Sequence, residues 1–283
     1  MATITKKTVL ITGCSEGSLG AALALAFAKR DFHVFATLRN PAKAGPLASH
    51  PNIEILSLEV TNAQSISSCA AEVGKKTDGS LDILVNNAGV MFAMPLLDTS
   101  IEESKKLFDV NVWGMLAVTQ AFAPMLVRSK GVILNIASIA GAVRMAWQGV
   151  YNSSKACVRW FSETLRIEMQ GLDVRVITAM IGEVETKIYD NAGQTDRALP
   201  TSSYYKSIKH LIFQQASGEM QVENEKAEVT AESLVRDVLS GRDGHVWRGG
   251  VAGRAKYFHW MLPERLFEWA LHVHRGVYQV RAP

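Results

Sequence analysis

Cysteine is scarce in this chain of 283 residues: only Cys14, Cys69 and Cys157 occur. Their number is odd and none belongs to a CxxC pair or a Cys/His grouping, which argues against a disulfide framework and a zinc scaffold. No metal site is expected. Long apolar runs are also missing. The longest covers residues 21–28, far short of the ~20 residues a spanning helix needs, so no membrane-spanning segment is expected. Residues 1–7 carry no hydrophobic leader before Thr8-Val-Leu-Ile-Thr12, and a cytoplasmic location is expected. Charge of one sign is lacking too: 30 Lys and Arg against 27 Asp and Glu leave a net charge of +3. No dense basic block follows a phosphate backbone, so nucleic acid is not an expected partner. What is present is apolar material, 48% of residues against 20% charged, enough for the core of one folded domain.

Short aliphatic and β-branched runs at residues 9–12, 33–38, 53–58, 81–85, 132–137 and 174–179 read as buried strands. Helical spacing fills the intervals at 21–30, 65–76, 102–127 and 155–170. Parallel neighbours need crossovers, so this alternation predicts an α/β fold: a doubly wound parallel sheet of the Rossmann type with helices on both faces. One domain, 1–283, is expected. After Thr186 the pattern changes to a turn-rich stretch at 191–200 and a helix at 203–215, which predicts a C-terminal substrate lid over about 187–228. The charged residues 218–228 read as a solvated connection without chemistry, ahead of a helix at 231–239. From Tyr257 onward, Phe258, Trp260, Met261, Leu266, Ala270, Val273 and Val277 oppose Glu264, Arg265, Glu268 and Arg275. This predicts an amphipathic tail over about 254–283 that packs on its own domain, on a second subunit or on a membrane surface.

The first strand ends in Thr12-Gly13-Cys14-Ser15-Glu16-Gly17-Ser18-Leu19-Gly20, directly before an Ala-rich helix. Such a turn lets the backbone approach a pyrophosphate, and the helix N-terminus adds free N–H groups and partial positive charge. Gly13, Ser15, Gly17, Leu19 and Gly20 are therefore candidate cofactor contacts. Glu16 puts a carboxylate among them and is expected to point outward. Tyr151 and Lys155 are four apart at a helix start and share one face. An ammonium beside a phenol lowers its pKa from ~10 toward a useful acid–base range. Ser138 stands thirteen residues before Tyr151, at a strand end where open α/β sheets form their crevices.

Taken in order, the glycine turn, Asn86-Asn87-Ala88-Gly89, Asn111, Ser138 and Tyr151-Asn-Ser-Ser-Lys155 resemble the short-chain dehydrogenase/reductase family through residues 8–186. Within it the chain is most similar to fungal reductases related to 1-acyldihydroxyacetone-phosphate reductase. The resemblance implies a catalytic tetrad. Tyr151 gives a proton to a carbonyl oxygen, Ser138 stabilises that oxygen, Lys155 supports the phenol, and Asn111 positions a water relay to the lysine. It also implies cofactor contacts at Tyr151 and Lys155, at Asn87, Ala88 and Gly89, at Glu59-Val60 with Glu in place of the family's Asp, and at Gly182, Val184 and Thr186. The final glycine spacing, Gly17 to Gly20, is one residue longer than the family's. Ile181 stands where the family has proline, restoring an N–H and freeing φ, which predicts a more mobile loop.

Members that prefer NAD carry an acid at the end of the second strand. Here Ala36-Thr37-Leu38-Arg39-Asn40 has none, and Arg39 with Ser15 is suited to a 2′-phosphate. NADP(H) is the expected cofactor. Met145, Trp147 and Gln148 fall where family members contact substrate; the first two read equally as apolar walls for a bulky ketone or as core. The expected activity is NADPH-dependent reduction of a ketone to a secondary alcohol on a lipophilic substrate, either an acyl-dihydroxyacetone phosphate-like lipid or a polyketide-type specialised metabolite. The alternatives are a non-redox isomerase or cyclase of specialised metabolism that retains bound NADP, and a noncatalytic NADP-binding regulator. The complete tetrad argues against the regulator. A homo-oligomer is expected, and peripheral contact with an intracellular membrane through the tail is the further partner reading.

Overall fold

A computed structural model describes residues 4–190 and 198–280. Most of the turn-rich stretch expected at 191–200, and the last three residues of the expected tail, lie outside the described residues. Seven strands form one parallel sheet: β1 (Thr8–Thr12), β2 (His33–Leu38), β3 (Ile53–Ser57), β4 (Ile83–Asn86), β5 (Val132–Ile136), β6 (Arg175–Ile181) and β9 (Gly244–Arg248). Their spatial order is β3-β2-β1-β4-β5-β6-β9. The strands read as continuous apolar runs because both faces are covered. In β1, Val9 and Ile11 join one core cluster while Leu10 joins the other.

The first cluster packs α1 (Leu19–Ala28) and α7 (Ala227–Leu239) on the sheet. The second takes α2 (Ala63–Lys76), α4 (Met115–Ser129) and the end of α5 (Gly149–Glu168), with Phe35, Phe122 and Leu126 fully buried. The helix expected at 102–127 is two helices in line. α3 (Ile101–Phe108) passes into α4 through a widened turn at Asp109–Gly114. By length and composition this run, Ile101–Ser129, is apolar enough to cross a bilayer. Its Val118, Phe122 and Leu126 are instead buried against the sheet, which accounts for their apolarity. α5 starts at Gly149, six residues before the expected 155, so Tyr151 lies in its first turn.

The carboxyl-terminal third departs furthest from expectation. Residues 218–228 are not merely a solvated link: β8 (Glu225–Lys226) pairs in parallel with β7 (Val184–Glu185), and α7 begins at Ala227 rather than 231. The seventh sheet strand, β9, was not anticipated, because Gly-His-Val-Trp-Arg is short and only Val246 is buried. α6 (Lys209–Ser217) occupies part of the stretch expected at 203–215. The tail is two helices, α8 (Ala252–Met261) and α9 (Glu264–His272). Pro263 separates them, since the residue before a proline is driven out of helical geometry, and Leu262 is extended with ψ 143.

This tail packs on its own domain. Ala146 N–H donates to His272 Nε2 at 3.1 Å, Trp147 Nε1 donates to the Arg275 carbonyl at 2.8 Å, and Arg144 pairs with Glu264 and Glu268. Tyr257, Trp260, Met261, Leu266 and Trp269 remain exposed on its outer side.

β9 pairs with β6 as the edge strand, and an ion pair ties it to α7. Arg248 donates Nε and Nη2 to the two carboxylate oxygens of Asp237 on α7, at 2.8 and 2.7 Å, and Arg242 approaches the same carboxylate at 3.2 Å. The Asp237 side chain is 3% exposed. Asp237→Ala is expected to cost about 2–4 kcal/mol, because it strands a partly buried guanidinium. The mostly exposed Arg242, replaced by Ala, is expected to cost under about 1 kcal/mol. Urea titration checks both as a shift in midpoint at constant m-value. Equal midpoints for the two variants would remove the bidentate pair from the account.

Candidate active site

At the carboxyl ends of the strands a cavity of about 640 Å³ opens, at the point where strand order reverses between β1 and β4. Thr12 and Asn87 fasten its floor. Thr12 Oγ1 accepts the N–H groups of Asn87 and Ala88 at 3.0 and 2.9 Å, while Asn87 Nδ2 donates to the carbonyls of Thr12 and Gly13 at 2.9 and 3.1 Å. Asn87, Ala88 and Gly89 all line the cavity, yet the Asn87 amide is committed to the glycine turn. Gly13 has φ +74, and a Cβ there would meet Ala88 Cα at 2.9 Å, so both conformation and close approach require glycine.

One end of the cavity is polar and basic. Ser15, Ser18 and Leu19 line it, with Arg39, Asn40 and Lys43 opposite and Leu58, Glu59 and Val60 beneath. The extra residue of the glycine turn is absorbed locally. Ser18 caps α1, its Oγ accepting Ala21 N–H at 3.1 Å and donating to Gly13 O at 3.0 Å. The Glu16 side chain lies against Gly45, outside the wall. Glu59 faces Arg39 at 3.6 Å and accepts from Thr61 Oγ1 at 3.0 Å.

At the centre stand Ser138, Tyr151 and Lys155. Ser138 Oγ donates to the Ile181 carbonyl at 3.2 Å, accepts Ala140 N–H at 3.1 Å and shares a hydrogen bond with the Tyr151 phenol. Lys155 is 5% exposed; its Nζ donates to Ile136 O at 2.8 Å and lies 5.9 Å from the Tyr151 ring centre. The protein acts on these two groups contrary to the simple expectation. Apolar surroundings push the Tyr151 phenol up to about 12, against the opposing Ser138 hydrogen bond, and burial pushes Lys155 down to about 8. Desolvation is the largest cause for both groups, since burial strips hydration from the phenolate and from the ammonium.

Four expected site residues stand behind the wall rather than on it. Asn111 is buried in the widened turn, where Nδ2 donates to Val90 O at 2.8 Å and Ser154 Oγ at 3.0 Å and Oδ1 accepts Val90 N–H at 2.8 Å. Its amide is fully occupied. It reaches Lys155 only through packing: a Cβ on Gly89 would sit 3.4 Å from Asn111 Oδ1 and 3.7 Å from Lys155 Nζ. Gly20 is a packing glycine, whose Cβ would meet Asn87 Nδ2 at 2.5 Å and Gly13 O at 2.6 Å. Gly17, φ +78, turns beneath the Lys187 side chain. Trp147, φ +65, is a strut: its indole is spent on Arg275 O and its ring meets Tyr205 edge-on at 5.3 Å. Met145 and Gln148 do line the cavity.

Gly182, Val184 and Thr186 line the cavity beyond β6. The loop expected to loosen at Ile181 is instead anchored. Ile181 is the buried last residue of β6, in register with Arg248, and Gly182 N–H donates to Arg248 O at 2.9 Å. Sequence reasoning missed Thr12, Asn40 and Lys43, although the last two follow β2 closely enough to be read with Arg39. It also missed Tyr189, Gln215, Met220 and Arg275, which line the far end and come from separate segments of the carboxyl-terminal third.

Residues 7–197 match the family pattern for short chain dehydrogenase. The chain is 46% identical over 265 residues, 94% of each chain, to a short-chain dehydrogenase, cctT, of Talaromyces islandicus. It is 40% identical over 211 residues, 74% of this chain and 71% of that protein, to the NADPH-dependent 1-acyldihydroxyacetone phosphate reductase of Schizosaccharomyces pombe. Among solved structures, a short-chain dehydrogenase of Streptomyces avermitilis matches with a TM-score of 0.77 at 26% identity, covering 98% of this chain and 100% of that one.

Proposed function

This chain belongs to the short-chain dehydrogenase family, and from that premise we propose that it reduces a ketone on a lipophilic substrate to a secondary alcohol with NADPH. The observation that carries this reading is one cavity with a hydroxyl, a phenol and an ammonium at its centre and two cations at one end. The donor set fits the cofactor. Ser15, Arg39, Lys43 and the N-terminus of α1 suit an anionic dinucleotide with a further phosphate, and no acid follows β2 to prefer a free ribose. The NADPH dependence named for the Schizosaccharomyces pombe relative agrees with this.

Bound NADPH supplies the hydride that the carbonyl carbon receives. The remaining work falls to the chain. Ser138 Oγ and the Tyr151 hydroxyl hold the carbonyl oxygen, and Tyr151 gives it the proton as negative charge develops there. A phenol held near 12 is protonated at neutral pH, the state from which a proton donor starts. Lys155 is a cation below about 8 and stabilises the phenolate left after transfer. Asn111 is a positioning residue that fixes the loop at Val90 after β4 and Ser154 around the lysine. Val143, Met145 and Met220 offer an apolar surface to the body of the substrate. An acyl-dihydroxyacetone phosphate-like lipid and a polyketide-type metabolite both meet that description.

Three measurements test this reading. Tyr151→Phe removes only the phenolic hydroxyl and is expected to lower kcat about 10²–10⁴-fold with cofactor binding retained. Reduction of any ketone substrate at the wild-type rate, followed as NADPH oxidation against alcohol formed, would overturn the assignment. The pH profile of kcat/KM is expected to be level at neutral pH and to fall above about 8, as Lys155 loses its proton while Tyr151 keeps its own. A profile flat across that region would contradict the role given to the lysine. Arg39→Asp is expected to weaken NADPH binding about 10–100-fold while changing NADH binding far less; equal losses in fluorescence titrations would remove Arg39 from cofactor selection.

A further inference from the structure

Beyond Tyr151 the cavity wall holds a cation with no place in the reaction described above. Arg275 follows α9 and is 9% exposed. Its Nε donates to Leu271 O at 2.9 Å, and Nη1 donates to Gln215 Oε1 and lies 3.7 Å from Met220 Sδ. Among the described residues, Nη2 meets no acceptor and no carboxylate comes within ion-pair distance. The Glu183 carboxylate acts on Arg275 only from further off, because its Oε2 is held by the N–H groups of Val222 and Glu223 at 2.8 and 2.7 Å. Tyr189 lies within electrostatic range of both Arg275 and Tyr151.

A buried guanidinium with no carboxylate in direct contact is costly, and burial pulls Arg275 below its ordinary value against the more distant Glu183. The fold nevertheless invests in holding it there. The Arg275 carbonyl receives Trp147 Nε1, and the neighbouring His272 receives Ala146 N–H, so the residue is fixed from the same segment that supplies Met145 and Gln148 to the wall. The unspent Nη2 belongs to a planar fork that matches the two oxygens of an oxyanion.

We propose that Arg275, with Gln215 and Tyr189 beside it, binds an anionic oxygen group, a carboxylate or a phosphate, carried by the ketone substrate. This inference rests on the reductase reading of the same cavity. It narrows the substrate class from lipophilic ketones in general to those bearing an acidic group near the carbonyl end.

Calorimetry on the full-length protein tests it with three probes: a medium-chain keto fatty acid, its methyl ester, and the phosphate monoester of the matching keto alcohol. The wild type is expected to bind the acid or the phosphate about tenfold more tightly than the ester, and whichever is tighter identifies the group. Arg275→Met, which keeps the stem, is expected to bring the charged and neutral probes to equal affinity, and Arg275→Lys to restore part of the difference. Equal affinity for all three probes in the wild type overturns the proposal whether or not Arg275→Met folds, as does a discrimination that survives Arg275→Met. Binding is read without turnover. A protein that reduces the ester and ignores charge refutes the anion subsite alone, whereas one that selects the charged probe and oxidises no NADPH with any of them refutes the reductase reading alone.

Discussion

The site depends on a reversal in the sheet. Crossovers leave β1 toward β2 on one side and β4 toward β5 on the other, so the loops after β1 and β4 diverge and a crevice opens between them. Divergent loops need to be held at a fixed separation, and Thr12 and Asn87 provide this. Two N–H groups converge on the Thr12 hydroxyl, and the Asn87 amide returns two hydrogen bonds to the backbone of Thr12 and Gly13. Thr12 ends β1 and Asn87 directly follows β4, so the link transmits the rigidity of the sheet to the glycine turn. The glycine pattern alone describes a turn; the link gives that turn a fixed place.

Desolvation is the second constraint, and it acts on both central ionisable groups. Tyr151 and Lys155 are brought together by α5, whose first two turns present positions four apart on one face. The same packing removes water from each, raising the phenol and lowering the ammonium. Near neutrality this leaves the phenol protonated and the ammonium close to its titration range. Ile136 O receives the lysine and Ile181 O receives the serine, so backbone carbonyls at two strand ends set the orientation of the side chains.

The far wall is built differently. Segments distant in the chain meet there: the loop before α5, α6, the residues before β8, and the turn after α9. Hydrogen bonds from Ala146 and Trp147 tie the cavity-lining loop before α5 to the tail, and two ion pairs from Arg144 to Glu264 and Glu268 reinforce the tie. A tail expected to offer its apolar face to the body, a partner or a membrane thus spends its inner side on the cavity wall. Pro263 makes this path available by breaking the tail into two helices.

Local pattern determined much of this protein. Six of the seven sheet strands, the helices between them, the glycine turn and the i, i+4 pair Tyr151 and Lys155 are legible because alternation, helical period and turn chemistry are properties of adjacent residues. The seventh strand was hidden because an edge strand buries little and β9 shows one buried residue. Only the tertiary structure decided which polar side chains face the cavity. Asn111 and Trp147 carry the right chemistry for a site but spend it on Val90, Ser154 and Arg275. Arg275 looked like the charged face of a surface helix, and became a buried cation because α9 ends against Gln215 and Trp147. The charge of a residue is written in the sequence; whether water or protein surrounds it depends on contacts between segments far apart in the chain, here 60 and 128 residues.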